Sequence, residues 1–260
     1  MGIYLRQSHL VKPARYGSEA DVQYSIAKNS EKIYGVDPDS NVLVMPLFFG
    51  FPCLDYSGKQ NHGTPYGGVA YHSGSLDFDG VDDYVGVPTI NEVVTNVTYS
   101  AWINPDSIGA WNGIIFSRSA YNVGMIFHSS GNVGYTWQND YNFNSGLASP
   151  VDKLSFVSVT FYPAGATVYV GTDGVLSSAS SGTAHVAQTM NDVKIGTDDN
   201  QATRWFNGLI DEVRISNVAL TAEQIALFYE RPWDLYRRVG RTYYSITAAP
   251  SIYIPRIIII

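Results

Sequence analysis

Between residues 97 and 215 the chain repeats one pattern: a short run of β-branched and aromatic residues, then turn formers, at intervals of about 8–12 residues. Val97-Thr98-Tyr99-Ser100-Ala101-Trp102-Ile103 alternates in polarity and stops at Asn104-Pro105-Asp106. Runs at 113–117, 123–127, 133–137, 154–161, 167–170, 193–196 and 206–215 follow it. Period-two alternation puts successive side chains on opposite faces of a strand, one buried and one wet. About ten such strands exclude a helical bundle and point to a two-layer all-β sandwich or jelly roll. Thr167-Val168-Tyr169-Val170 runs into Gly171-Thr172-Asp173-Gly174, a hairpin turn signal.

One stretch stands apart by its charge. Leu76, Phe78, Tyr84, Val85 and Val87 are strand formers, and Asp77, Asp79, Asp82 and Asp83 crowd a turn centred on Gly80. Carboxylates this close repel one another unless water, a cation or hydrogen-bond donors compensate. The expectation is a hairpin-like corner with a cation at it. Calcium suits the donor set, because a hard cation takes about six to eight oxygens from carboxylates, carbonyls and water.

Charged residues make up only 15% of the chain, while Gly (24) and Tyr (19) are plentiful, which suits short strands joined by tight turns. Residues 41–230 hold seventeen Asp/Glu against six Lys/Arg, whereas 231–260 hold five Arg against Asp234 alone. An acidic body disfavours nucleic acid as a partner. The basic end suits an acidic protein surface, including that of a neighbouring copy. The single cysteine, Cys53, excludes an internal disulfide and reads as a small buried hydrophobe. No apolar run approaches the roughly 20 residues of a membrane helix, and Arg6 precedes any leader-like stretch. Neither membrane anchoring nor an ordinary leader is expected.

Three regions result. Residues 1–41 lack a sustained period and read as an N-terminal arm, 42–230 as the sandwich, and 231–260 as a basic C-terminal arm. One short helix is predicted near the end of the body, where Thr221-Ala222-Glu223-Gln224 forms a capping box flanked by Leu220 and Ile225. Beyond it the chain reads as extended, and an unpartnered apolar strand is a pairing hazard. Trp233, Tyr236, Arg237, Arg238, Arg241 and Tyr243 are therefore expected to contact a partner.

Four ordered motifs resemble laminin G-like domains of the concanavalin A-like lectin/glucanase superfamily. They are Asn61-His62-Gly63-Thr64 with the Leu76–Val85 stretch, Tyr99-Ser100-Ala101-Trp102-Ile103-Asn104-Pro105, Phe206-Asn207-Gly208-Leu209-Ile210-Asp211-Glu212-Val213-Arg214-Ile215, and Leu220-Thr221-Ala222-Glu223-Gln224-Ile225. The resemblance implies a concanavalin A-like jelly roll of two antiparallel sheets with one short C-terminal helix and extended terminal arms. It also implies a bound calcium, held by Asp79, Asp82, Asp83 and Asp211, and a role in binding glycans or proteins. Leu154-Ser155-Phe156-Val157-Ser158-Val159 departs from the Trp-His-His-Val run usual there. Residues 230–244 are similar to tails that follow such domains in phage and prophage-encoded proteins.

A glycoside hydrolase needs two facing carboxylates, about 5–5.5 Å apart for retention or 6.5–9.5 Å for inversion. Glu92, Glu212, Glu223 and Glu230 do not repeat along a strand, and Asp211 and Glu212, as strand neighbours, are expected on opposite faces. The five histidines lack ligand spacing, and His62 reads as a loop residue. No enzyme activity is expected. Trp111, Tyr121, Trp137, Asn139 and Tyr141 have the composition of a sugar-contacting surface. The functional expectation is a lectin-like decoration or fibre-type protein of a virion surface, held by its ends to its own copies or to a capsid or tail protein. A secreted or surface carbohydrate-binding module is the alternative, and a hydrolase the third reading.

Overall fold

The computed structural model describes residues 18–47, 53–72, 74–118, 122–138, 141–198 and 203–240. In chain order its strands are β1 (Asn41–Met45), β2 (Thr64–Tyr66), β3 (Ala70–His72), β4 (Ser75–Asp79) and β5 (Tyr84–Val94). Next come β6 (Val97–Ser107), β7 (Gly113–Arg118), β8 (Asn122–Phe127), β9 (Asn132–Trp137) and β10 (Tyr141–Ala148). Last are β11 (Ser155–Tyr162), β12 (Gly165–Thr172), β13 (Val175–Ser181), β14 (Gln188–Ile195) and β15 (Asn207–Ser216). They form two antiparallel sheets. One runs β13-β12-β11-β6-β15-β4-β3, with β1 also on β15; the other runs β10-β9-β8-β7-β14-β5-β2. The expected two-sheet jelly roll is the fold.

The layers meet through alternate residues. Val123, Met125 and Phe127 of β8 and Val133, Tyr135 and Trp137 of β9 share one core with Val157, Val159 and Phe161 of β11. Phe161 gathers Tyr99, Tyr135 and Trp137 at ring separations of 5.9, 4.9 and 4.7 Å. Cys53 is buried in this core, as expected. The β12–β13 hairpin turns at Asp173-Gly174, both at positive φ (52° and 80°), the backbone of a type I′ turn. β10, with Asn, Ser and Gly, and β13, with four Ser, are not expected as strands; pairing to β9 and β12 overrides their weak propensity.

The Asp-rich corner is not a hairpin. β4 pairs with β15 and β5 with β14, so residues 80–83 carry the chain from one sheet to the other. Side chains take over the turn's backbone groups. Asp79 Oδ1 accepts the Val81 N–H at 2.8 Å, and Asp83 Oδ2 accepts the Asp79 N–H at 2.9 Å.

The ends of the described chain depart furthest from expectation. Within the predicted N-terminal arm, α1 (Glu19–Tyr34) is a full helix, opened by Ser18 in a capping box with Asp21 and closed by Gly35 at φ 62°. The predicted second helix, α2 (Ala222–Glu230), has its Thr221–Gln224 box in place. Within the predicted C-terminal arm, Asp234–Tyr236 form a short 3-10 turn where an extended stretch was expected, and residues 241–260 lie outside the described residues. These elements cover the outer face of the larger sheet, packing Val22, Ile26, Phe228, Tyr229, Leu235 and Tyr236 against Val44, Trp102, Phe156 and Tyr169. The reason is apolar area: Trp102 of β6, Phe156 of β11 and Tyr169 of β12 stand on the outward face, and covering them removes that surface from water.

Polar groups lock this clasp. Arg214 Nη2 donates to Glu212 Oε2 and to Pro232 O, both at 2.7 Å, and Tyr236 Oη donates to the same Glu212 oxygen at 2.8 Å. The guanidinium lies 4.6 Å from the Phe228 ring centre and 5.7 Å from that of Tyr236. Asn29 Nδ2 donates to Leu235 O (3.0 Å) and Arg237 O (2.7 Å), and Ser25 Oγ accepts the Val239 N–H at 3.1 Å. Tyr34 Oη donates to Arg231 O and accepts the Leu235 N–H. Both chain segments are thus stitched to each other and to β15.

Arg214→Met leaves Glu212 buried without its counter-ion, so urea denaturation above about pH 7, where that carboxyl is charged, should register a loss of about 3–5 kcal/mol. Burial pushes the Glu212 carboxyl up to about 7 against the opposing pull of Arg214. The folded protein then holds this proton more tightly than the unfolded chain, whose carboxyl titrates near 4.5. Its stabilising contribution is full below that value and disappears as pH rises through about 7. Stability measured relative to Glu212→Gln should therefore fall from pH 4.5 to 7 and then level off; a rise over that range contradicts it.

Candidate functional site

At one end of the sandwich, aromatic and charged side chains gather on the rim of the smaller sheet. The β2–β5 register sets Tyr66 directly opposite Tyr84, and their rings stack at 4.7 Å with an 11° interplanar angle. Trp205 comes within 6.0 Å of Tyr84 and bridges to Thr197 through its backbone. Lys194 Nζ lies 5.4 Å from the Tyr84 ring centre. The neighbouring Arg204 sets its guanidinium 5.7 Å from the Trp111 ring, which meets His128 edge-on at 4.7 Å. Arg204 and Arg118 share the buried Asp198 carboxylate, at 2.7 and 3.3 Å. Tyr66, Tyr84, Trp111 and Trp205 belong to neither hydrophobic cluster, and Tyr66 is 47% exposed.

The carboxylate corner adjoins this rim, because Asp83 immediately precedes Tyr84. Ligand atoms of Asp79, Asp82 and Asp83 all lie within 4.8 Å of one another. Asp79 and Asp82 are exposed, whereas Asp83 is only 3% accessible, with Oδ1 buried and making no hydrogen bond within bonding distance. Burial, reinforced by the charges of Asp79 and Asp82, pushes the Asp83 carboxyl above its usual range despite the opposing N–H groups of Asp79 and Gly68. Gly67, at φ 80°, closes the corner: a Cβ there would stand 2.6 Å from Asp82 O and Asp83 Oδ1. An arrangement of this kind disfavours its own third negative charge and accommodates a cation that offsets it.

Asp211 is not part of the corner. It lies four residues beyond Asn207, the partner of Asp79, and is opposite Trp102 under the clasp. A bulge between Asp211 and Arg214, with Glu212 at φ 53°, also breaks strand alternation. Asp211 and Glu212 therefore share the outer face rather than opposite ones. Both are buried, at 4% and 2% accessibility, and Glu212 is tied to Arg214 and Tyr236.

The predicted ligand residues separate. Trp111 stands on the rim. Trp137 is 1% accessible and packs in the core, its Nε1 donating to Val186 O at 3.0 Å. The reason is parity: alternation along β9 turns Trp137 inward with Val133 and Tyr135. Tyr121, Asn139 and the side chain of Tyr141 lie outside the described residues, as do Arg241 and Tyr243. Among the predicted partner contacts, Tyr236 is buried in this chain's own clasp and Trp233 packs beside it, while Arg237 is exposed and pairs with Asp234 at 2.9 Å. Arg238 follows it at the surface. His62 is a loop residue, as expected, its Nδ1 accepting the Asp55 N–H at 3.0 Å. Sequence reasoning missed Tyr66 and Trp205, since only the register of β2 and the Thr197 bridge bring them to Tyr84.

A family model described as the concanavalin A-like lectin/glucanases superfamily matches residues 79–226. No curated protein sequence matches the chain. Among solved structures, domain 4 of AbnA, a GH43 extracellular arabinanase from Geobacillus stearothermophilus, in complex with arabinotriose, is similar at a TM-score of 0.59 and 17% identity, over 76% of this chain and 98% of that one. The Trypanosoma rangeli sialidase in complex with sialic acid gives 0.61 and 14%, over 83% of this chain and 38% of that one. The receptor-binding domain of botulinum neurotoxin mosaic serotype C/D gives 0.54 and 18%, over 74% and 51%. This chain thus spans about a third of the sialidase and half of the toxin domain.

Trp137→Ala should cost about 3–5 kcal/mol in denaturant unfolding, as a core truncation. Tyr66→Ala, at an exposed ring, should cost less than about 1 kcal/mol. Equal losses would place the two rings in the same role.

Proposed function

The chain belongs to the concanavalin A-like lectin/glucanase superfamily, and from that premise we propose that it is a non-catalytic, lectin-like module that binds glycan at the rim. The observation that carries this reading is the open Tyr66–Tyr84 stack standing beside the three-carboxylate corner. An aromatic face offers apolar area to the C–H face of a sugar and keeps a polar edge toward water. Calcium held by Asp79, Asp82 and Asp83, with backbone carbonyls and water completing its shell, would fix the corner and offer a bond to sugar hydroxyls. The arabinotriose and sialic acid complexes of structurally similar proteins support the ligand class. Absence of catalysis is supported by the burial of Asp211 and Glu212 beneath the clasp.

The setting we propose is a virion surface, on the likeness of residues 230–244 to phage-encoded tails, with further copies or a capsid or tail protein as partners. The clasp favours a second setting, a secreted or surface carbohydrate-binding module, because Leu235 and Tyr236 serve this chain's own packing. Purified phage-type particles that carry the protein would decide for the first.

Binding is tested on a glycan array with and without chelator: signal lost on Tyr66→Ala supports the rim, and a wholly blank array removes the reading. Calcium should raise the melting temperature of the native protein. Asp83→Asn should abolish that response. Without calcium the variant should be at least as stable as the native protein at neutral pH, since it removes a charge whose burial is unfavourable. Identical calcium responses in the two proteins would move the cation elsewhere.

A further inference from the structure

Resting on the glycan-binding reading above, we propose that the rim is a two-station site for an oligosaccharide chain of at least three units, laid from Tyr66 to Trp111, rather than a pocket for one terminal sugar. The first station is the Tyr66–Tyr84 stack. The second is Trp111, braced by His128 and by the Arg204 guanidinium. Trp205 and Arg204 are adjacent residues and link the two: one ring lies 6.0 Å from Tyr84, and the guanidinium lies 5.7 Å from Trp111. Tyr66 belongs to β2, and Trp111 stands two residues before β7. In the strand order β2-β5-β14-β7 they are three strand spacings apart, on the order of 14 Å. That span exceeds one sugar ring and matches a short chain. Both stations occupy the same end, because Tyr84 precedes the Val85–Ile195–Ile115 row of paired residues and Trp111 lies beyond it on that side.

The backbone of Trp111 is the independent observation. Its φ is 67°, in the left-handed region, where a bulky side chain is an outlier and glycine or asparagine is at ease. The N–H of Trp111 donates to Phe127 O at 2.8 Å, which fixes the turn whatever the side chain. The ring contributes to neither hydrophobic cluster. A large aromatic kept where the backbone prefers glycine, and not used in the core, is accounted for by what it presents to solvent.

The test uses the full chain on an array of mono- to hexasaccharides from arabinan, β-glucan and sialylated series, followed by titration calorimetry with the best-bound series. Affinity should rise with length up to at least the trisaccharide. Trp111→Gly should weaken the hexasaccharide about five- to tenfold and shrink its advantage over the disaccharide, without lowering the melting temperature. Trp111→Asn, which also tolerates the left-handed backbone, provides a second truncation with the same expected loss. Binding that is complete with a mono- or disaccharide, or variants that bind the hexasaccharide like the native protein, overturns the two-station site while leaving glycan binding intact. No binding to any member overturns both.

Discussion

Everything in this molecule is hung on β15. One of its sides pairs with β6 along its length. The other is shared: β4 takes Asn207–Ile210, and β1 takes Val213–Ser216. The bulge at Asp211-Glu212 lies where one partner gives way to the other. Inward, Ile210, Val213 and Ile215 join the core between the sheets. Outward, the same bulge brings Glu212 to Arg214, so one irregularity in the ladder sets the ion pair that the clasp closes over. At its start, Asn207 sits opposite Asp79 and positions the carboxylate corner. Strand, clasp and carboxylate corner therefore share one register.

Buried charge in the clasp is not a cheap way to hold two segments down, since desolvation offsets much of the attraction. What the pair provides is direction. Arg214 reaches Glu212 and Pro232 O together, Tyr236 reaches the same carboxylate, and three rings surround the guanidinium. A purely apolar contact at this place would tolerate sliding of α1 and residues 231–239 over the sheet. Specific donors and acceptors do not.

How much of this was legible in the sequence varied with the physics involved. Period-two runs and the Asp173-Gly174 turn marked most strands, because burial on one face writes itself into alternation. The α2 capping box was plain. α1 carried the same signature, Ser18 with Asp21 and Gly35 behind Tyr34, but its apolar face is narrow and its mean polarity hides it. The Asp-rich turn was correctly seen as a concentration of carboxylates, yet local sequence does not say whether a turn joins two strands of one sheet or crosses between two. Asp211 and Trp137 show the same limit from either side. A bulge removes the parity that set Asp211 and Glu212 on opposite faces, and unbroken parity buries Trp137. The ring row of Tyr66, Tyr84, Trp205 and Trp111 is non-local by nature and exists only once β2, β5, β14 and β7 are in register.

The hydrogen bonds between α1 and the segment after α2 run in opposite chain directions: Tyr34 meets Leu235, Asn29 meets Arg237, and Ser25 meets Val239. Residue 240 therefore lies beside the middle of α1, toward the same end of the clasp as Ser18. Tension applied between these two residues would fall first on Ser25–Val239, then on Asn29 and Tyr34, opening the clasp bond by bond like a zipper. The strands between the sheets would carry none of the load until the last of those bonds had parted.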